Sequence, residues 1–260
     1  MAVWRPQPED LQRVFDEQNP WQRDGRVPDA LARPVERTLA KLLWRRLRDD
    51  EPHRFQLVLG PRRVGKTTAL YQTVRHLISD GTDPTRIWWL RLDHPLLLQE
   101  QLGDLVRAVI ESSGATDASP VFLMLDELVY TDRWDQWLKT FYDDRWPVRI
   151  AATSSATAAL RDRRLESGVG RWAEQHLTPY LFTEFLELVD AGNGAPVDRH
   201  LSESIRALPH GTRSDPDVTR WRRQFMLIGG FPELLTLPRD RPNDDGTRLI
   251  ESQQILRSDA

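Results

Sequence analysis

The sequence predicts an α/β domain built on a parallel sheet flanked by helices, and three observations carry that prediction. Short apolar runs alternate with amphipathic stretches across residues 53–190. One run, 121–125, is apolar without a break, as a strand covered on both faces of a parallel sheet must be. Another, 55–59, ends in Gly60 and leads into a stretch with Leu70, Val74, Leu77 and Ile78 on one helical face. Strand followed by helix, repeated, is the pattern of a parallel sheet with helical crossovers.

Before the sheet, residues 1–50 are rich in Arg, Pro and Trp. They contain one helical stretch, 34–47, whose Leu39, Leu42, Leu43 and Leu47 form a one-sided stripe. The first strand is 55–59 and the second 87–92, where adjacent Trp88 and Trp89 place one ring on each side. Leu98, Leu102, Leu105, Val106 and Val109 mark the next helix, and 121–125 is the third strand. Trp134, Trp137, Leu138, Phe141 and Tyr142 form another stripe, with Asp132 as its expected N-cap. Strands at 148–152 and, more weakly, 175–178 bring the count to five. From Asp190 the chain turns polar, and hydrophobicity recovers only at Phe225-Met226-Leu227-Ile228. The expected organisation is an N-terminal helical extension (1–50), a core (51–190) and a small α-helical C-terminal segment (191–260).

Composition narrows the chemistry. The 260 residues carry 36 Lys and Arg against 39 Asp and Glu, a net charge of −3, so there is no global basic surface for nucleic acid. Without cysteine there are no disulfides, thiol nucleophiles or cysteine-based zinc sites, which suits a reducing cytoplasm. No segment approaches the ~18 apolar residues of a membrane span, and the six histidines lack metal-ligand spacing.

The first strand runs into Gly60-Pro61-Arg62-Arg63-Val64-Gly65-Lys66-Thr67, which matches G-x-x-x-x-G-K-[ST] in full. A chain of this length and ordinary composition matches by accident in about one case per hundred. In this chain the match also sits between a predicted strand and a predicted helix. Gly60 and Gly65 let the backbone fold back so that successive N–H groups face one anion. The following helix directs its positive end at the same place. Lys66 would reach β- and γ-phosphate oxygens, the Thr67 hydroxyl would hold Mg²⁺, and Gly60 through Thr68 would line a nucleotide.

The third strand delivers Asp126 and Glu127 to its C-terminal end, the edge at which open α/β sheets bind ligands. Asp126 would complete the Mg²⁺ shell and Glu127 would polarise an attacking water as general base. After the fourth strand comes Thr153-Ser154-Ser155, where a hydroxyl beside that carboxylate pair would sense the γ-phosphate. Ser154 is the first choice and Ser155 the second, although such residues also serve as ordinary strand ends. Arg171 precedes the last strand and is a candidate arginine finger, with a solvated arginine as the plainer reading. Arg220-Trp221-Arg222-Arg223 and Arg161, Arg163 and Arg164 read best as solvated surface.

Together GPRRVGKTT, LMLDEL, TSSA, GRWAEQHLTPYLFTEFLEL and Gly229-Gly230-Phe231-Pro232-Glu233 resemble a family of prokaryotic AAA-like P-loop ATPases, AAA_14, which carry a DUF4143 C-terminal domain. The resemblance spans roughly residues 35–235. It implies an ASCE-type sheet in which one strand lies between the P-loop strand and the strand carrying Asp126, with Ser154 as sensor and Arg171 as finger. Two departures stand out. Ala152-Thr153 replaces the family's Thr-Gly pair, and family members continue well beyond the GGFPE segment, whereas this chain ends at Ala260. The implied activity is Mg²⁺-dependent ATP hydrolysis driving a conformational change in a partner protein or C-terminal module, with a homo-oligomer supplying the finger in trans. Alternatives are a STAND-like nucleotide-gated switch with slow turnover and a DNA-directed motor or loader. The absence of an Asn-Lys-x-Asp sequence argues against guanine nucleotides.

Overall fold

A computed structural model describes residues 7–48, 53–155 and 170–190, with isolated positions at 222, 225, 226 and 230. The expected C-terminal segment 191–260, Arg161, Arg163 and Arg164, and most of the 220–223 and GGFPE segments therefore lie outside the described residues. The chain falls into two compact units. The first holds residues 1–33, 38–61 and 66–177; the second holds 34–37, 62–65 and 178 onward.

The first unit is organised by five strands: β1 (Phe55–Leu59), β2 (Ile87–Arg91), β3 (Val121–Asp126), β4 (Val148–Ser154) and β5 (Trp172–His176). They pair in the order β2-β3-β4-β1-β5, every pair parallel. One strand, β4, thus lies between β1 and β3, as the resemblance implied. Every β1 residue is buried, and Leu57, Leu59, Leu90, Leu123, Leu125 and Ile150 pack in one apolar core. Strands covered on both faces favour apolar runs such as 121–125 in β3, while β1 also buries the polar Gln56. Edge strand β5 buries only Trp172, and it starts three residues before the expected 175–178 strand. A half-exposed edge needs little apolar patterning, which is why the sequence marks it weakly.

Four helices precede the sheet: α1 (Pro8–Gln18), α2 (Trp21–Asp24), α3 (Asp29–Ala32) and α4 (Thr38–Arg48). Within the first unit Asn19 between α1 and α2 is buried and bridges to β2. It accepts from the Trp89 amide at 2.5 Å and donates to the Trp89 carbonyl at 3.1 Å, while the Trp21 indole donates to Ile87 O. On α4 the buried face is Ala40, Leu43 and Leu47, and Leu42 of the expected stripe is 38% exposed.

After β1 comes α5 (Lys66–Ser79), then α6 (Leu102–Ser113) and α7 (Trp134–Asp143). The residue before α7 is Arg133, in left-handed conformation and without a side-chain cap, so Asp132 is not the N-cap expected. A Cβ at Gly103 would lie 2.2 Å from the Trp137 ring, which makes glycine necessary where α6 meets α7. Trp88 meets Phe15 edge-on while Trp89 stacks on Tyr71 at 3.9 Å, so the two rings do occupy opposite sides. The second unit contributes α8 (Phe182–Asp190). Among the described residues no helix is long and apolar enough to cross a membrane.

Candidate functional site

In the first unit the C-terminal ends of β1, β3 and β4 carry a connected set of polar side chains. Lys66 opens α5 and is buried; its ammonium donates to the carbonyls of Gly60 at 2.9 Å and Pro61 at 2.8 Å. The strand-to-helix turn therefore folds back on its own lysine, as a phosphate loop requires. Thr67 follows, and its hydroxyl donates to both oxygens of the Asp126 carboxylate, at 3.1 and 3.3 Å.

Asp126 ends β3 and is only 4% exposed. Burial raises its pKa, and the neighbouring Glu127 charge adds to that, against hydrogen bonds from Thr153 and Thr67 and the charge of Lys66. The Thr153 hydroxyl donates to Asp126 at 2.5 Å and accepts from the Glu127 amide at 3.0 Å. One hydroxyl thus fixes both members of the acidic pair. A hydroxyl and a buried carboxylate, both hard oxygen donors, suit a magnesium ion better than a soft metal. Thr67 and Asp126 are the residues that would hold it.

Glu127 sits in left-handed conformation, φ 57°, which costs a non-glycine residue on the order of 1 kcal/mol or more. The Glu127 carboxylate accepts from the Ser155 hydroxyl at 2.9 Å. Such strain is kept where a side chain must be aimed in a set direction.

The three hydroxyls expected at the end of β4 divide between two faces. Side chains alternate along a strand, so Thr153 and Ser155 face the carboxylates while Ser154, paired with Leu59 of β1, does not. The Ser154 hydroxyl is buried and has no hydrogen-bond partner among the described residues. Thr153, to which the sequence pattern assigns no role, is the hydroxyl that meets Asp126 and the Glu127 amide. Its one signal was the departure from the family's Thr-Gly pair.

Arg171 is placed at the other edge of the sheet. Its carbonyl accepts from Phe55, the first residue of β1, and a five-residue strand spans about 13 Å from first residue to last. Its guanidinium forms a two-pronged pair with Asp143, at 2.7 and 3.0 Å. Arg171 therefore does not join Lys66, Asp126 and Glu127 in this chain, which corrects any reading of it as a finger for its own site. Strand β5 separates the two ends.

Loop residues Arg62, Arg63, Val64 and Gly65 belong to the second unit. Arg63 (φ 63°) and Gly65 (φ 90°) both have positive φ, on either side of Val64. Alternation of this kind turns neighbouring N–H groups toward one side, the basis of an anion nest. Thr68 continues α5.

The comparisons with known proteins bear on the family and the fold. A family model, AAA_14, described as an AAA domain, matches residues 52–186, just over half of the chain. Two uncharacterised proteins of Methanocaldococcus jannaschii are related in sequence. MJ1637 is 30% identical over 133 residues, 51% of this chain, and MJ1544 is 23% identical over 183 residues, 70% of this chain. The chain spans only 27% and 36% of the lengths of those relatives. Among solved structures, PCH-2 of C. elegans superposes with a TM-score of 0.50 at 14% identity, over 86% of this chain and 69% of that one. That likeness supports the fold.

Proposed function

The chain belongs to the AAA_14 family of AAA domains, and from that premise we propose that it binds Mg·ATP and hydrolyses it at the C-terminal edge of its sheet. The observation that carries the reading is the chain of contacts from Thr67 through Asp126 and Thr153 to the Glu127 amide. It joins the element that follows the phosphate loop to the acidic pair that would meet the lytic water.

Lys66 is the cation for the β- and γ-phosphates, and the backbone of 60–67 holds their oxygens. Thr67 and Asp126 are the residues that would hold a magnesium ion, which would supply positive charge against the phosphates. Glu127 takes the proton of the water that attacks the γ-phosphorus, and ADP leaves with the bridging oxygen. Thr153 keeps the carboxylates fixed in place, so that little reorganisation accompanies the reaction. Arg171 serves the site of a second copy: its exposed pair with Asp143 is one that a phosphate could displace. Turnover would then drive a conformational change in a partner or in a C-terminal module.

The Ser155 bond to the Glu127 carboxylate favours a second reading, a nucleotide-gated switch that keeps its base restrained and turns over slowly. Phosphate release from Mg·ATP, measured with and without EDTA and over a range of protein concentrations, tests both. Release that EDTA stops supports the ATPase. Tight retention of ATP with almost no release supports the switch, and no binding of ATP at all refutes both.

A further inference from the structure

Arg37 is a buried cation that has no part in the reaction described above. It is 1% exposed, and within the second unit its guanidinium meets backbone carbonyls, a carboxylate and a ring. Nη1 donates to the Val64 carbonyl at 3.0 Å and Nη2 to the Thr178 carbonyl at 2.8 Å. Nε lies 3.3 Å from Glu184 Oε1, and the guanidinium carbon stands 4.3 Å over the ring of Tyr180. Burial lowers its pKa, and the Glu184 charge opposes that change. A guanidinium is kept out of water only where its planar fork is matched by acceptors, as it is at this site.

The partners of Arg37 are themselves fixed. The second oxygen of Glu184 accepts from the Leu181 amide at 2.9 Å, at the start of α8. The Tyr180 amide donates to the Gly230 carbonyl at 2.6 Å, and a Cβ at Gly230 would lie 2.3 Å from Tyr180 O. At the other end, the C=O of Val64 and the N–H of Gly65 belong to one peptide plane and point in opposite directions. Drawing the Val64 carbonyl toward Arg37 therefore aims the Gly65 N–H away from it. Gly65 packs directly against the arginine, since a Cβ there would meet Nη1 at 3.8 Å and Cδ at 3.9 Å.

We infer that Arg37 is a positioning residue for nucleotide binding, which orients the Val64–Gly65 peptide of the phosphate loop and ties it to the 178–184 segment. A loop stiffened by nucleotide stiffens that segment through the same guanidinium. This inference rests on the reading of the chain as an ATP-binding protein, and it adds how occupancy of the loop is felt elsewhere in the second unit.

The test combines calorimetric titration with Mg·ATP and hydrogen exchange of peptides covering 178–186, on the full chain as wild type, Arg37→Lys and Glu184→Gln, with circular dichroism confirming the fold. In the wild type, nucleotide slows exchange at Tyr180 and Leu181. Arg37→Lys keeps the charge but loses the fork; its affinity falls about tenfold and the nucleotide-dependent protection disappears. Glu184→Gln leaves the bond to Val64 in place, loses only about threefold in affinity, and still loses most of the protection. A purely structural Arg37 would lower the melting temperature and leave nucleotide-dependent protection intact, which overturns the inference. So does wild-type protein that binds ATP without protecting 178–184. If Arg37→Lys fails to fold, the wild-type exchange and Glu184→Gln decide by the same criteria. Wild-type protein that binds no ATP refutes the proposed function itself, and this inference with it.

Discussion

Asp126 and Asp143 lie at opposite edges of the same sheet, and their acidities move in opposite directions. Asp126 is buried, receives hydrogen bonds from Thr67 and Thr153, and is still harder to ionise than a free aspartate, because burial outweighs its donors. Asp143 is exposed and easier to ionise, because Arg171 holds its charged form. The signs for stability follow. A raised pKa makes ionised Asp126 a burden on the metal-free fold, so its contribution is present at low pH and is lost as pH rises through its folded value. A lowered pKa makes ionised Asp143 a support, present above the ordinary aspartate value and lost as pH falls through the folded one. The difference separates a carboxylate held by its own ion pair from one whose charge burdens the fold, and a cation bound at the proposed site would relieve that burden.

That contrast can be broken at several points, beginning with the largest effect. Lys66→Ala removes the buried cation of the C-terminal edge, and ATP affinity measured by calorimetry should fall by about a hundredfold or more. Asp126→Asn should abolish phosphate release, yet it removes a buried charge of matching shape. The metal-free protein should therefore melt higher, by about 2–4 °C per kcal/mol of desolvation relieved. A lower melting temperature would mean that the hydrogen bonds, not burial, dominate Asp126. Thr153→Val takes one of its two hydroxyl donors from Asp126, leaving Thr67, and removes the hydroxyl that accepts from the Glu127 amide. It should slow turnover about tenfold and cost about 1–2 kcal/mol in denaturant unfolding. At the opposite edge Arg171→Ala should leave ATP affinity and melting temperature nearly unchanged. Its effect should be confined to turnover: the rise in rate per chain with protein concentration that is expected of the wild type should be lost. A rate that never depends on concentration would assign Arg171 to its ion pair with Asp143 alone.

The same contrast explains what the sequence alone could reveal. The phosphate loop and Asp126-Glu127 were legible because their chemistry requires residues adjacent in sequence, and the unbroken apolar run 121–125 marked β3. Strand β5 was misplaced because an edge strand burying only Trp172 leaves little pattern. Thr153 was passed over for Ser154 because alternation along β4 is fixed by pairing with β1 and β3, and no local signal tells which hydroxyl faces Asp126. Gly103 and Arg37 were invisible for the same reason. What they touch, Trp137 and Val64, is far away in sequence.

The most direct test of the carboxylate site is Glu127→Gln, which keeps the shape of the side chain and an acceptor for the Ser155 hydroxyl but removes the base. ATP binding and phosphate release should be measured on the same preparation beside the wild type. ATP should bind with affinity within a few-fold of wild type while release falls by about a hundredfold or more. Release at the wild-type rate would show that Glu127 is not the base, and would contradict a catalytic role for the acidic pair at the end of β3.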